Sequence, residues 1–115
     1  TMEAYFAAKA RLLEHLAPEG TAVVNADDPA WRALPPAPRV VTFGARPAAA
    51  DAAPDLSGPD VVVRDVVHEP RGSVGTLAVE ATALPVHVPL IGDFNVANVA
   101  AAAAAAWALG VAPAD

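Results

Sequence analysis

Positions 99–109 form one unbroken apolar run, and positions 100–106 within it are all alanine. No residue has a higher helix propensity than alanine, so the run is read as helix. Its side chains are small, and the smooth surface lets a neighbouring sheet or helix come close. The run is too short for a membrane span, which takes about 20 apolar residues. Gly110 and Pro113 stop it, and the helix is expected to begin near Asp93.

Twelve prolines and seven glycines divide the rest of the chain into short elements. Thr1 can cap a first helix in which Tyr5, Phe6, Lys9, Leu12, Leu13 and Leu16 recur at spacings of three and four. Pro18 and Gly20 end it. Thr21 to Asn25 is a β-branched run, read as a buried strand. Asp28-Pro29 opens a short second helix, with Asp as cap and Pro at the first helical position. Arg39 to Phe43 is a second strand, closed by Gly44. Helix, strand, helix, strand in that order predict an α/β fold with short parallel strands and crossover helices. Residues 45–59 have no periodicity and are read as a connector. Three further strands are expected over 60–68, 75–82 and 86–91. They form a small antiparallel three-stranded sheet with one wet face. Glu69 to Ser73 turns between the first two, and Pro85 and Pro89 suit an edge strand.

At 115 residues the chain is one domain or a piece of one. Seven Lys and Arg against thirteen Asp and Glu give a formal charge of −6. Nucleic-acid backbone binding needs a basic patch, so nucleic acid is not an expected partner. The absence of cysteine excludes a disulfide framework, a zinc knuckle and thiol catalysis. No basic segment leads into a leucine-rich stretch, so no signal peptide and no membrane association are expected. A soluble, cytoplasmic protein is the plain expectation.

The strongest chemical signal is Gly92-Asp93-Phe94-Asn95-Val96-Ala97-Asn98. A glycine ends a strand and a helix begins at once. Asn95 and Asn98, three apart, share one face of its first turn. A carboxamide offers two donors and an acceptor, which can match an adenine edge. A capping role explains one such asparagine better than two. Lys9 sits in the apolar stripe of the first helix. Either its stem covers apolar surface while the charge reaches water, or burial favours the neutral amine, which can add carbon dioxide. The resulting carbamate is a carboxylate-like ligand suited to Mg²⁺. Asn25-Ala26-Asp27-Asp28 follows a strand, where an α/β sheet places its ligands. A turn at Asn25 and a helix cap at Asp28 explain it more simply. His15, His68 and His87 show no metal-ligand spacing and are read as surface or core histidines. Neither a Gly-x-x-x-x-Gly-Lys-[Ser/Thr] loop nor a Gly-x-Gly-x-x-Gly motif is present. The chain starts at a helix cap and looks cut from something longer.

Taken together, MEAYFAAKARLL, AVVNADDP, VTFG and LPVHVPLIGDFNVANVAAAAAAAWALGV resemble the ATP-dependent Mur ligases of peptidoglycan synthesis. The tripeptide-synthetase branch is the nearest match. The resemblance implies that residues 1–115 are the second half of the central ATP-binding domain, without its phosphate-loop half and without the C-terminal domain. It implies ATP and Mg²⁺ as cofactors, and UDP-N-acetylmuramoyl-dipeptide and an amino acid as substrates. The implied reaction is phosphorylation of the substrate carboxylate by ATP, followed by attack of the incoming amine on the acyl-phosphate. Lys9 matches the lysine that the family carbamylates to support the magnesium site. Asn95 and Asn98 match the asparagines that contact adenine. For the isolated 115 residues the expectations are no turnover, an unmodified Lys9 and a dimer formed over exposed apolar surface. Two rivals stand beside this reading: a folylpolyglutamate-synthetase-like ligase of the same superfamily, and a non-catalytic α/β interaction module.

Overall fold

The structure is a computed structural model that describes residues 1–33, 35–48 and 58–113. Helix α1 (Met2–Ala10) starts as expected, with the Thr1 hydroxyl accepting a hydrogen bond from the Ala4 amide at 3.1 Å. It is shorter than its periodicity implies, because residues Arg11–His15 tighten into a 3-10 helix before Pro18. Strand β1 (Thr21–Asn25) follows. The element opened by Pro29 is a single 3-10 helix, Pro29–Ala33.

Strand β2 (Arg39–Pro47) does not stop at Gly44 but runs through it. Gly44 is a point of close approach: a Cβ there would lie 2.9 Å from the Asp27 carboxylate. Strands β3 (Val61–Glu69), β4 (Gly72–Val79) and β5 (Thr82–Val88) complete the sheet, and helix α2 (Asp93–Ala108) closes the fold. The boundary between β4 and β5 differs from the expectation. The chain turns at Glu80 and Ala81, so Val79 pairs with Thr82. Glu80 adopts a φ of 52°, the left-handed conformation that two-residue hairpins demand. Pro85 therefore lies inside β5, and residues 89–91 lie outside it.

All five strands join one mixed sheet in the order β1-β2-β3-β4-β5. The β1–β2 and β2–β3 pairs are parallel; β3–β4 and β4–β5 are antiparallel. The parallel strands and the antiparallel trio thus share β3 and form a single surface. Strand β5 is an edge, and Pro85 projects on its exposed side, where a missing N–H costs no ladder bond. A bulge interrupts β3 after Arg64, with Asp65 at a φ of 55°. The extra residue resets the pleat, so Val66 joins Val61 and Val63 on the buried face while Val67 is exposed.

Helix α2 packs across that buried face. Val96, Ala100 and Ala104, four residues apart, lie against Val41, Val61, Val63, Val66 and Val79. Phe43 and Leu77 pack against both parts of this core. The alanines let the helix backbone sit close to the valine-rich sheet. Most of the connector expected over 45–59 lies outside the described residues, and its first three residues belong to β2. Among the described residues no helix is long and apolar enough to cross a membrane.

Candidate functional site at the start of α2

The segment between β5 and α2 is held by its carbonyls. The buried Ser73 hydroxyl donates to the Leu90 carbonyl at 3.0 Å. The Asn95 amide nitrogen reaches back to the Ile91 carbonyl at the same distance. Gly92, at a φ of 113°, then turns the chain into the helix, and its own carbonyl accepts from the Asn95 and Val96 amides. Asn95 is half-buried and partly occupied with its own loop. Asn98 is exposed. It stands two residues from both Val96 and Ala100, the pair that meets the sheet, so it points away from the sheet. The two carboxamides do share the first turns of the helix, but they are differently engaged.

His68 also reaches this point, although no spacing in the chain links it to Asp93. Its Nδ1 lies 2.7 Å from the Ser73 hydroxyl and its Nε2 lies 2.8 Å from an Asp93 carboxylate oxygen. Twenty-five residues separate His68 from Asp93, and only the tertiary fold brings β3 and the start of α2 together. His15 and His87 are exposed, and His87 lies beside Gly72 rather than in this network.

Beside the helix start lies a cleft of about 620 Å³ at the carboxyl ends of β1 and β2. Asn25, Asp27, Arg46, Asp93, Phe94 and Ala97 are among its walls. This is where an open α/β sheet commonly receives a ligand. The Asn25–Asp28 segment is nonetheless tied into local structure. Asn25 Oδ1 accepts from the Asp27 amide at 2.9 Å, and Asp28 Oδ1 from the Ala30 amide at 3.0 Å. Asp27 accepts from the Ala45 amide at 2.8 Å and forms an ion pair with Arg46.

Lys9 occupies a different place. It lies exposed on α1, with its ammonium 4.5 Å from the centre of the Tyr5 ring. It borders two grooves, of about 390 and 360 Å³, whose other walls include Phe6, Trp31 and Leu13. The aliphatic stem covers apolar surface and the charge meets an aromatic face and water. Asn25 borders both the smaller of these grooves and the cleft beside the helix start. The described residues contain no group of three or more His, Cys, Asp or Glu able to hold a metal ion.

Comparison with known proteins places this geometry in context. Residues 1–106 match the Mur ligase middle domain. The chain is 39% identical over 114 residues to UDP-N-acetylmuramoyl-L-alanyl-D-glutamate–2,6-diaminopimelate ligase of Synechococcus elongatus, covering 96% of this chain and 21% of that protein. It is 40% identical over 113 residues to the like-named ligase of Thermosynechococcus vestitus, with the same two coverages. A crystal structure of MurF from Acinetobacter baumannii superposes with a TM-score of 0.76 at 25% identity, over 99% of this chain and 23% of that one. The chain thus spans about a fifth of the length of the relatives it matches, 21% in the two ligases above. With the middle-domain match running from the first residue through most of α2, the chain belongs to the Mur ligase middle-domain family.

Proposed function

We propose that this chain is the second half of the central, nucleotide-binding domain of a ligase that adds the third amino acid to UDP-N-acetylmuramoyl-dipeptide. The observation that supports this most is the spread of the identity. It covers 96% of the chain rather than one motif. On the names of the relatives, the amino acid is 2,6-diaminopimelate. The reaction uses ATP and Mg²⁺ and takes place in the cytoplasm. The phosphate-binding loop and the amino-acid-receiving domain belong to segments other than residues 1–115.

In this reading Asn98 meets the adenine edge, because its amide is exposed and offers donors and an acceptor together. Asn95 contributes its remaining oxygen while its nitrogen fixes the loop. Lys9, as a carbamate, presents a hard oxygen of the kind Mg²⁺ prefers. The described acidic residues do not complete a magnesium site, so the other ligands come from elsewhere in the longer protein. Mg²⁺ held with that carbamate's help would neutralise charge on the transferred phosphoryl group. Alone, the 115 residues have no turnover, keep Lys9 unmodified and pair through exposed apolar side chains such as Tyr5 and Leu12.

The test is ADP release by the full-length protein that carries this domain. Release that requires ATP, UDP-N-acetylmuramoyl-dipeptide and 2,6-diaminopimelate together is the expected outcome. Release with a folate substrate and glutamate would instead establish the folylpolyglutamate-synthetase-like reading. No release with either set would leave the interaction module.

A further inference from the structure

The entry into α2 is pinned at three points. Ser73 holds the Leu90 carbonyl, Asn95 holds the Ile91 carbonyl, and His68 holds the Asp93 carboxylate. The third point runs through one imidazole ring that meets both β4 and α2. Its Nδ1 lies 2.7 Å from the Ser73 hydroxyl, and its Nε2 lies 2.8 Å from the Asp93 carboxylate. Asp93 is the titratable group that faces the ring from α2. Strand β4 contributes the neutral Ser73, and His87 on β5 lies instead beside Gly72. Arg46, across the cleft from Asp93, is already paired with Asp27.

We propose that His68 is a positioning residue for the nucleotide base. Its ring, bridging Ser73 and Asp93, ties the first residue of α2 to the β3–β4 hairpin and so sets the direction in which Asn95 and Asn98 are presented. This rests on the reading of Asn98 as an adenine contact. The tie is exposed, with side-chain accessibilities of 35% for His68 and 92% for Asp93. Exposed ion pairs contribute little to folding stability. The consequence of losing it is therefore geometric, and it falls on nucleotide binding.

The experiment uses the full-length enzyme, with steady-state kinetics of His68→Ala, Asn98→Ala and the double variant. His68→Ala is expected to raise the KM for ATP by about fivefold while kcat and the KM for the UDP-linked substrate stay within about twofold. The double variant is expected to bind ATP no more weakly than Asn98→Ala alone, since the tie acts through that amide. An unchanged ATP KM in His68→Ala, beside a raised one in Asn98→Ala, overturns the positioning role and leaves the adenine reading intact. An unchanged ATP KM in Asn98→Ala overturns both. If His68→Ala fails to fold, Asp93→Ala carries the same test, because that side chain has almost no packing to lose.

Discussion

Gly72 opens β4 at a φ of 144°, and the backbone around it leaves no room for a side chain. A Cβ there would collide with the Val88 carbonyl oxygen and lie 3.0 Å from the Pro89 α-carbon. Neither atom is the free end of a flexible side chain. Gly72→Ala is therefore expected to cost about 2–4 kcal/mol, from backbone strain and displacement of β5 together. Urea unfolding of the full-length protein measures it, and an unchanged midpoint for this domain would contradict the packing described. Residue-level signals were legible in the sequence where they are chemical. Pro70 and Gly72 announced their turn, Asn25 and Asp28 their local hydrogen bonds, and Thr1 its cap. Glu80 carries no such announcement, and Asp65, though of a type that tolerates the left-handed region, sits in a run that reads as plain strand; each takes that conformation where the sheet around it demands one. The Asn95 rotamer was equally hidden. It depends on where the Ile91 carbonyl falls once β5 has paired.

Among the elements, α2 was the most legible, because alanine propensity and the Gly92 and Gly110 punctuation are local. What the sequence did not say is which alanines matter. Ala100 and Ala104 are completely buried against the valines of the sheet, whereas Ala105 is exposed. Ala104→Leu is thus expected to destabilise by about 1–3 kcal/mol through overpacking, and Ala105→Leu by less than about 0.5 kcal/mol. Thermal unfolding of the paired variants reads the difference, and equal effects would mean that the helix does not seat on this face. The two shortened helices are the converse case. The apolar spacing of residues 1–16 is helical throughout, but Arg11–His15 winds more tightly than its pattern implies. Strand β2 outran its glycine because Asp27 and Arg46 close over the gap that Gly44 leaves.

For the whole molecule, the class was legible and the connectivity was not. Period and punctuation give strands and helices, but only tertiary pairing makes β3 the seam between a parallel and an antiparallel half. The same limit applies to the site. The FN-x-x-N segment stands out in one dimension, whereas its tie to His68 exists only in three. The carboxyl ends of β1 and β2 and the start of α2 border one cleft, with Asn98 exposed one turn further along the helix. Lys9 borders two other grooves, one of which shares Asn25 with that cleft. The account therefore depends most on the exposed amide of Asn98. Calorimetric titration of ATP into the full-length protein and its Asn98→Ala variant addresses it directly. A loss of about tenfold in affinity, equivalent to roughly 1.4 kcal/mol, is the predicted result; equal affinity in the two proteins would contradict it.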